Sequence, residues 1–297
     1  MSVAPGRLSP SKALAFFSLV KFEHTLFALP FALLSAFLAA RGVPAGRTLL
    51  WILVAMVGAR SAAMAFNRIA DRSIDAANPR TRSREIPAGV ISIPQASLFC
   101  AGAAALLGVA AWQLNPLCFA LSPVALALIL GYSFTKRFTW GAHLFLGVSL
   151  AIAPVGAWIA VTGSLAPLPF LLGLAVVFWV AGFDVIYSLQ DESFDRARGL
   201  RSIPVAIGPR RALLVAASFH VLALLFFLAV YVLARGGIVF GAGVLVAGGF
   251  LVRQHRLVSP QDLSRVNAAF FTANGWLSVV FSLLGIVDVL LNGAAAR

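Results

Sequence analysis

Two pairs of aspartates, Asp71/Asp75 and Asp191/Asp195, share the same spacing and stand at the ends of apolar segments. The chain has ten acidic residues among 297, so these pairs hold a large part of its negative charge. Residues four apart lie on one face of a helix, and each pair therefore presents two carboxylates one turn apart. Carboxylates in this arrangement suit a hard divalent cation that also holds phosphate oxygens. The four aspartates are the candidate catalytic residues of a site for a metal-bound diphosphate.

Asn67 and Arg60 extend the first pair into the apolar segment before it. On a helix with ~100° per residue, Asn67 and Asp71 lie within about 20° of Arg60, and Asp75 lies about 60° away. An amide oxygen beside carboxylates favours Mg²⁺, so Asn67 joins the four aspartates as an expected metal ligand. Arg60 lies well inside an apolar segment, where a cation is costly, and we expect it to bind substrate. The alternative is a solvated helix end with surface ion pairs.

Basic residues accompany both pairs. Arg80 and Arg84 follow the first pair in a proline-containing loop, and guanidinium groups make two-point contacts with phosphate. Lys136 and Arg137 end an apolar segment between the pairs and would neutralise a leaving diphosphate. All four are expected to bind substrate, although loop cations also set the orientation of membrane proteins.

Further polar residues lie inside apolar segments. Asp184 stands seven residues before Asp191 on the same helical face, which predicts either a wall of a polar cavity or a structural hydrogen bond. Tyr187 would orient substrate on the same side, or anchor the helix at the membrane interface. The remaining candidates for substrate contacts are His24, Asn267 and Asn274. The histidine would meet an acceptor carboxylate, whereas the two asparagines share a face and either line the cavity or bond between helices.

The composition is that of a membrane protein. Hydrophobic residues make up 61% of the chain and charged residues 11%, whereas soluble domains are roughly half apolar and a quarter charged. Runs of about 20 apolar residues cross a hydrocarbon core of ~30 Å as helices. We therefore predict an all-α integral membrane fold, a bundle of nine transmembrane helices near 14–40, 47–69, 94–114, 116–135, 141–162, 166–190, 211–234, 237–252 and 266–292.

The net charge is +13, and the basic residues are distributed unevenly between the loops of the two membrane sides. If the amino terminus is cytoplasmic, few basic residues fall on the opposite side: Arg41, Arg47, Arg235 and Arg297. This positive-inside bias predicts a protein of the cytoplasmic (inner) membrane with its amino terminus in the cytoplasm and its carboxyl terminus outside. The lipid bilayer is thus an expected partner, whereas nucleic acid and an obligate protein partner are not.

Several classes of function lack their signatures. The chain has neither a P-loop nor a glycine-rich dinucleotide fingerprint, which argues against ATP-driven transport. His143, His220 and His255 share no spacing with a serine and an aspartate, so a hydrolase triad is unsupported. A transporter or lipid flippase of another kind stays open, because polar groups lie inside an apolar bundle with a weak internal repeat.

The repeat consists of the two loops that follow the aspartate pairs. DRSIDAANPRTRSREIPAG and DESFDRARGLRSIPVAIG each start with two aspartates, continue through several arginines and close with Ile-Pro and glycine. The common pattern predicts two half-sites that face one another. We expect a single domain over 1–297, with a first motif at 67–75, a second motif at 184–195, and cytoplasmic loops that cap a central cavity.

The stretches NRIADRSID and YSLQDESFD resemble the two Asp-rich motifs of the UbiA superfamily of intramembrane prenyltransferases. The segments NPRTRSREIPAG, YSFTKRFT and GLRSIP occur in the matching order. The resemblance implies a nine-helix bundle whose cavity opens laterally to lipid, and Mg²⁺-dependent transfer of a polyprenyl group from its diphosphate to an aromatic acceptor. It also implies that Arg198 and Arg201 join the four basic residues above in binding diphosphate.

The second motif is similar to that of the 4-hydroxybenzoate polyprenyltransferase-like subgroup, which implies a role in ubiquinone-type quinone biosynthesis. It departs from the commonest ubiquinone-pathway form, because Phe194 and Arg201 stand where that form is more acidic and contains lysine. A hydroxynaphthoate of menaquinone biosynthesis by the futalosine route is therefore an alternative acceptor. Haem, chlorophyllide or a sugar phosphate would keep the fold and change the acceptor class.

Overall fold

The computed structural model describes residues 12–20 and 25–295, and every regular element in these two ranges is a helix. The α-helices are α1 Lys12–Val20, α2 Thr25–Ala40, α3 Gly46–Ala70, α4 Arg72–Ala77, α5 Ile93–Leu114, α6 Pro116–Gly131, α7 Ala142–Thr162, α8 Pro167–Ser188, α9 Glu192–Ala197, α10 Ile203–Ile207, α11 Pro209–Leu233, α12 Ile238–Arg256 and α13 Asn274–Ala295. Two 3₁₀ helices, Tyr132–Arg137 and Leu189–Asp191, and a π-helix, Ala268–Ala273, complete the set.

The chain is a multi-pass membrane protein. Within the described ranges, eight helical segments are long and apolar enough to cross a membrane: Gly46–Ala70, Ile93–Leu114, Pro116–Arg137, Ala142–Thr162, Pro167–Ala197, Pro209–Leu233, Ile238–Arg256 and Ala268–Asn292. They correspond to the last eight of the nine expected spans. The expected first span, 14–40, includes residues 21–24, which lie outside the described ranges, and its described parts are the helices α1 and α2. The described part of this span that belongs to α2 has 16 residues, about 24 Å of helix.

Local signals explain where several helices begin. Ser92 caps α5 through a capping box with Gln95, in which each side chain bonds to the backbone of the other residue. The Asn115 side chain accepts the backbone N–H of Cys118 at the start of α6. Ser202 caps α10 in the same way through the N–H of Val205. These polar caps lie outside the long apolar runs and set the helix boundaries.

The helices form two packed groups around α7. One group packs α2, α7, α8, α11, α12 and α13 around a fully buried aromatic cluster, Phe31, Trp179, Phe183, Phe227 and Phe281. The other packs α1, α3 and α5 around small residues such as Ala62 and Ala65. α8 lies against both α7 and α11 and is the most deeply embedded helix of the bundle.

Glycine allows α7 and α8 to approach closely. A Cβ on Gly147 would collide with the backbone carbonyl of Val177, so no larger residue fits at this crossing. Gly58 has the same role between α3 and α5, where a Cβ would lie 2.8 Å from the backbone nitrogen of Leu107. The two crossings fix the positions of α3 and α8, which carry the two motifs.

Asn274 stabilises the π-helix that precedes α13. A π-turn holds one residue more than an α-turn and disturbs the regular pairing of carbonyl groups. The Nδ2 of Asn274 donates to the carbonyls of Ala269 and Phe270 at 3.2 and 2.9 Å, and its Oδ1 accepts from Trp179 Nε1 at 2.8 Å. Asn274 is thus fully buried between helices.

We call the end of the bundle with residues 71–92 and 189–208 the motif end, and the opposite end, with residues 234–237, the far end. A buried carboxylate, Asp288, joins α13 to α12 at the far end. Its two oxygens accept the backbone N–H groups of Gly237 at 2.8 Å and Phe240 at 3.1 Å. These N–H groups belong to the first turn of α12, so Asp288 caps that helix from a different one.

Candidate active site

Both motifs line one cavity of about 530 Å³ at the motif end. Most of the site residues predicted from the sequence lie on its wall: Arg60, Asn67, Asp71, Asp75, Arg80, Arg84, Lys136, Arg137, Asp184, Tyr187, Asp191 and Asp195. The two half-sites therefore face a common space, to which α3, α8 and the loops after them contribute.

The first motif changes direction at Asp71. The backbone N–H of Asp71 bonds to the carbonyl of Asn67 at 2.9 Å as α3 ends, and Asp75 N–H bonds to the carbonyl of Asp71 at 2.8 Å as α4 begins. The Asn67 side-chain amide donates to Asp71 Oδ2 at 3.0 Å. Helical spacing thus continues across the break and keeps both carboxylates on the cavity wall.

The second motif follows a similar course. α8 ends at Ser188, the 3₁₀ helix Leu189–Asp191 follows, and α9 carries Asp195. The carboxylates of Asp191 and Asp195 are nearly buried, with 11% and 4% of their side chains exposed. Such carboxylates need counter-charges, because desolvation penalises an isolated ion.

Each of the four motif aspartates is paired with a different basic residue. Arg80 donates from Nε to Asp191 Oδ1 at 2.9 Å and from Nη2 to Oδ2. The other pairs are Arg84 Nη1 with Asp75 Oδ1 at 2.7 Å, Arg137 Nη2 with Asp71 Oδ1 at 3.3 Å, and Lys136 Nζ with Asp195 Oδ2 at 3.8 Å. The predicted anion-binding and cation-binding groups therefore neutralise one another in the described structure.

The environment shifts the pKa of Asp71 and that of Arg80. Burial raises the pKa of Asp71 above its usual range, although the hydrogen bond from Arg137 acts in the opposite direction. Burial alone would lower the pKa of Arg80, but its hydrogen bonds and charge interaction with Asp191 outweigh that effect and raise it. Arg80 is thus a permanent cation in the cavity.

Two carboxylate oxygens are positioned to accept a cation. Oδ2 of Asp75 and Oδ2 of Asp195, one from each motif, are buried and accept no hydrogen bond from the described residues. Among the residues that the structure describes, no three Asp, Glu, His or Cys side chains lie close enough together to hold a metal by themselves. The donor set suits Mg²⁺, which keeps several water and phosphate ligands and needs only a few protein oxygens.

The cavity has an aromatic wall next to the second motif. The ring of Tyr187 lies 4.1 Å from that of Phe270, measured between centroids, and Phe271 continues the wall. The hydroxyl of Tyr187 accepts a hydrogen bond from Arg80 Nη1 at 3.3 Å, and the guanidinium lies over the tyrosine ring. Tyr187 therefore joins the charged and apolar parts of the cavity.

Asp184 has a partner that sequence reasoning missed. His143 Nδ1 lies 2.6 Å from Asp184 Oδ2, although the residues are 41 positions apart. The sequence contains no spacing signal for this contact, because it depends on the packing of α7 against α8. Asn78, which donates to Asp191 Oδ1 at 3.3 Å, was also missed, and its position in the loop after the first motif is the only available signal.

Four predicted site residues do not line the cavity in the described structure. Arg198 lies over the ring of Phe194 at 5.8 Å, and Arg201 donates from Nη1 to the carbonyl of Phe138 at 2.7 Å. Asn267 is exposed, and Asn274 lies between helices as described above. A fifth predicted residue, His24, falls outside the described residues. The cavity-lining aromatic Tyr132 was not among the predicted residues.

Comparison with known proteins gives consistent matches over most of the chain. The profile of the UbiA prenyltransferase family matches residues 28–278. A 4-hydroxybenzoate octaprenyltransferase of Nitrosomonas europaea is 33% identical over 255 residues, which cover 86% of this chain and 87% of the relative. Another from Nitrosospira multiformis is 32% identical over 260 residues, covering 87% and 88%.

Solved structures match the fold as well. A UbiA homologue from Aeropyrum pernix K1, solved in its apo form, superposes with a TM-score of 0.82 at 34% identity, covering 90% of this chain and 98% of that one. A UbiA homologue from Archaeoglobus fulgidus bound to GPP and Mg²⁺ has a TM-score of 0.70 at 20% identity, covering 93% and 99%. The second likeness is one of fold alone.

Proposed function

Because the chain belongs to the UbiA prenyltransferase family, we propose that it transfers a polyprenyl group from a polyprenyl diphosphate to the ring of 4-hydroxybenzoate. The observation that carries this proposal is the single cavity shared by both motifs and their basic partners. The names of the relatives support the acceptor, since two that cover most of their own length are 4-hydroxybenzoate octaprenyltransferases.

The charged end of the cavity would bind the diphosphate. Mg²⁺ held by Asn67, Asp71, Asp75, Asp191 and Asp195 would supply positive charge that stabilises the departing diphosphate. The basic residues that now pair with these aspartates are Arg80, Arg84, Lys136 and Arg137, and they would turn to the diphosphate oxygens. The guanidinium groups would provide two-point contacts that orient the C–O bond to be broken.

The apolar part of the cavity would hold the isoprenoid and exclude water. Tyr187, Phe270 and Phe271 form a continuous aromatic wall beside the second motif, and Met64 and Leu146 add aliphatic surface. An allylic carbocation reacts with any water that reaches it, so a dry wall directs it to the acceptor ring. Aromatic faces also attract cations, which favours the same intermediate.

Arg60 is the candidate contact for the acceptor carboxylate. It lines the cavity from α3, eleven residues before Asp71, which places it roughly 16 Å deeper along the helix axis. A cation at that depth is costly unless it serves an anionic ligand or a paired group. A benzoate carboxylate at Arg60 would leave the ring between it and the diphosphate.

A hydroxynaphthoate is the second candidate acceptor. Phe194, the residue that departs from the commonest ubiquinone-pathway motif, lies on the cavity wall and offers additional aromatic surface. Transport or lipid flipping is less well supported, since the motif residues line a cavity at one end of the bundle. The loop arginines support placement in the inner membrane with the motif end in the cytoplasm.

The test is an assay of purified protein with Mg²⁺, a polyprenyl diphosphate and 4-hydroxybenzoate, followed by hydroxynaphthoates in competition. We expect prenylated 4-hydroxybenzoate as the main product, and loss of most activity in Asp71→Ala and Asp191→Ala. Arg196→Ala is the matched control, because Arg196 pairs with Glu192 in the same loop as Asp191 but outside the cavity lining. Absence of product with every aromatic acceptor, from folded protein, would refute the proposal.

A further inference from the structure

A buried histidine holds a carboxylate at the cavity wall. His143 is fully buried, whereas the Asp184 side chain is 19% exposed. Asp184 lines the cavity. Their contact uses Oδ2 of Asp184, at 2.6 Å from His143 Nδ1. The other oxygen, Oδ1, accepts no hydrogen bond from the described part of the chain, so it is the oxygen available to a ligand.

The second contact of His143 fixes where its proton lies. Nε2 accepts the backbone N–H of Ile203, the first residue of α10, at 3.3 Å. The first N–H groups of a helix have no acceptor within it, so the imidazole completes the start of α10. A ring nitrogen that accepts a hydrogen bond carries no proton, and the neutral ring must therefore carry its proton on Nδ1. His143 is a fixed donor to Asp184.

By depth, Asp184 falls between the diphosphate end and Arg60. Seven residues of largely helical chain separate it from Asp191, about 10 Å along the axis. Arg60 enters from α3 at a depth of roughly 16 Å below Asp71. An aromatic acceptor that reaches from Arg60 towards the diphosphate would pass Asp184 with its ring.

We propose that Asp184 is the base that removes the ring proton from the alkylated acceptor, and that His143 is the residue that positions Asp184. The proposal rests on the aromatic prenyl transfer proposed above. In that reaction the C–O bond of the polyprenyl diphosphate breaks and its electron pair leaves with the diphosphate. A π electron pair of the ring then forms the new C–C bond and leaves the ring cationic. The C–H bond at that carbon breaks, its electron pair restores aromaticity, and the proton goes to Asp184 Oδ1.

A carboxylate suits this step because a cationic ring is a strong acid, so a weak base at the right position is sufficient. His143 does not act as a relay, since Nε2 is already occupied by Ile203 and Nδ1 already carries a proton. The proton therefore stays on Asp184 until the product leaves, when it passes to the diphosphate or to water. In a Ser-His-Asp triad the aspartate orients the histidine, whereas here the histidine orients the aspartate.

The experiment compares 4-hydroxybenzoate with the same acceptor deuterated at the two ring positions beside the hydroxyl. In the wild type we expect little difference in rate, because ionisation of the diphosphate precedes loss of the ring proton. Asp184→Asn keeps an oxygen for the His143 hydrogen bond and removes the base. We expect turnover to fall about 10²- to 10⁴-fold and the deuterated acceptor to become distinctly slower than the undeuterated one.

Two variants of His143 separate positioning from a structural role. In His143→Asn the amide nitrogen stands close to the place of Nδ1 and still donates to Asp184. In His143→Gln the side-chain oxygen stands close to the place of Nε2 and still accepts from Ile203. We expect the asparagine variant to retain more turnover and the glutamine variant to show the isotope effect. The reverse order would assign His143 to α10 alone and overturn its positioning role.

Asp288→Asn is the matched control, since Asp288 is another buried carboxylate in a spanning helix, at the far end. Its isotope effect should equal that of the wild type. If Asp184→Asn turns over slowly without an isotope effect, another base takes the proton and the inference fails. If the wild type forms no prenylated product at all, the proposed function fails instead, so the two failures are distinguishable.

Discussion

Arg80 and Asp191 are 111 residues apart and come from different motif loops, yet they form a two-point ion pair. Nε of the arginine donates to one carboxylate oxygen and Nη2 to the other, so the planar groups lie fork to fork. The Arg80 side chain is 35% exposed and that of Asp191 is 11% exposed. This pair joins the loop of the first motif to the second motif, and both residues line the cavity.

The pair predicts that charge alone is insufficient at position 80. Arg80→Lys keeps a cation but loses the fork and the contact with Tyr187. We expect a loss of about 1–2 kcal/mol in stability, given the partial exposure of the arginine, and weaker binding of Mg²⁺-diphosphate. Thermal unfolding in detergent and calorimetric titration with inorganic diphosphate measure both effects. Arg196→Lys, in an exposed pair, is the control and should leave both unchanged.

Replacement of one motif carboxylate in each half-site, Asp75 or Asp195, should separate metal binding from folding. Asp75→Asn and Asp195→Asn conserve shape while removing the buried charge beside the oxygens that accept no hydrogen bond from the described residues. We expect affinity for Mg²⁺-diphosphate to fall about 10- to 100-fold in each, with circular dichroism unchanged. Glu192→Gln removes an acid that does not line the cavity and should bind normally. Normal affinity in both asparagine variants would remove these residues from the set of metal ligands.

Metal binding should fail at a higher pH than an ordinary aspartate would allow. Burial raises the pKa of Asp71, so this carboxyl takes up a proton at a pH above the usual value of about 3.9. A protonated carboxyl does not bind the metal, and affinity is therefore lost as the pH falls through this raised pKa. For the metal-free protein the sign is opposite, because ionised Asp71 is destabilising at neutral pH and acidification relieves that cost.

A variant of Arg137 tests this pH dependence of Mg²⁺ binding. Its hydrogen bond to Asp71 lowers the pKa of the carboxyl and so opposes the effect of burial. In Arg137→Met we expect the loss of Mg²⁺ affinity to move to still higher pH, as followed by calorimetric titration across a pH series. A shift to lower pH would show that the charge environment of Asp71 is misassigned.

Arg60 should decide the preference for a carboxylate on the acceptor. If it binds that group, wild-type protein favours 4-hydroxybenzoate over its neutral amide, 4-hydroxybenzamide. Arg60→Met should reduce this preference by about 10- to 100-fold, the value of a hydrogen bond to a charged group. The KM for the polyprenyl diphosphate should change little. An unchanged ratio of kcat/KM for the two acceptors would place the carboxylate elsewhere.

Asp288 should contribute to stability alone. Asp288→Ala leaves the N–H groups of Gly237 and Phe240 without their acceptor in an apolar environment. We expect a loss of about 1–3 kcal/mol in stability and a lower unfolding temperature in detergent, with Asp288→Asn in between. Because Asp288 lies at the far end, the folded fraction should retain normal turnover per molecule. A large loss of specific activity would contradict this separation of the two ends.

The sequence predicted the helical membrane architecture because twenty-residue apolar runs leave few other solutions. It also predicted which residues meet in the cavity where a helical period links them, since Asn67, Asp71 and Asp75 recur every four positions along one face. Contacts between helices could not be predicted in this way. His143 reaches Asp184 only because Gly147 lets α7 approach α8, and no local pattern encodes that distance.

The predicted site residues that do not line the cavity are explained in the same way, because local patterns do not encode longer-range geometry. Asn274 shares a helical face with Asn267 only if the helix is regular, and the π-helix between them breaks that register. Arg201 follows the second motif in sequence, but its side chain turns to the carbonyl of Phe138 instead of the cavity. Local spacing is therefore informative within one helix and loses its value across an irregular turn.

The π-helix also gives this protein a simple route to change the shape of its substrate chamber. Phe270 and Phe271 reach the cavity from a turn that contains one residue more than an α-turn. Deleting the codon of Thr272, which follows the aromatic pair in this turn, would remove the extra residue, restore regular winding and change the direction of the pair relative to α13. Loss of one residue, without any change in side-chain chemistry, would thereby alter the room left for the isoprenoid chain.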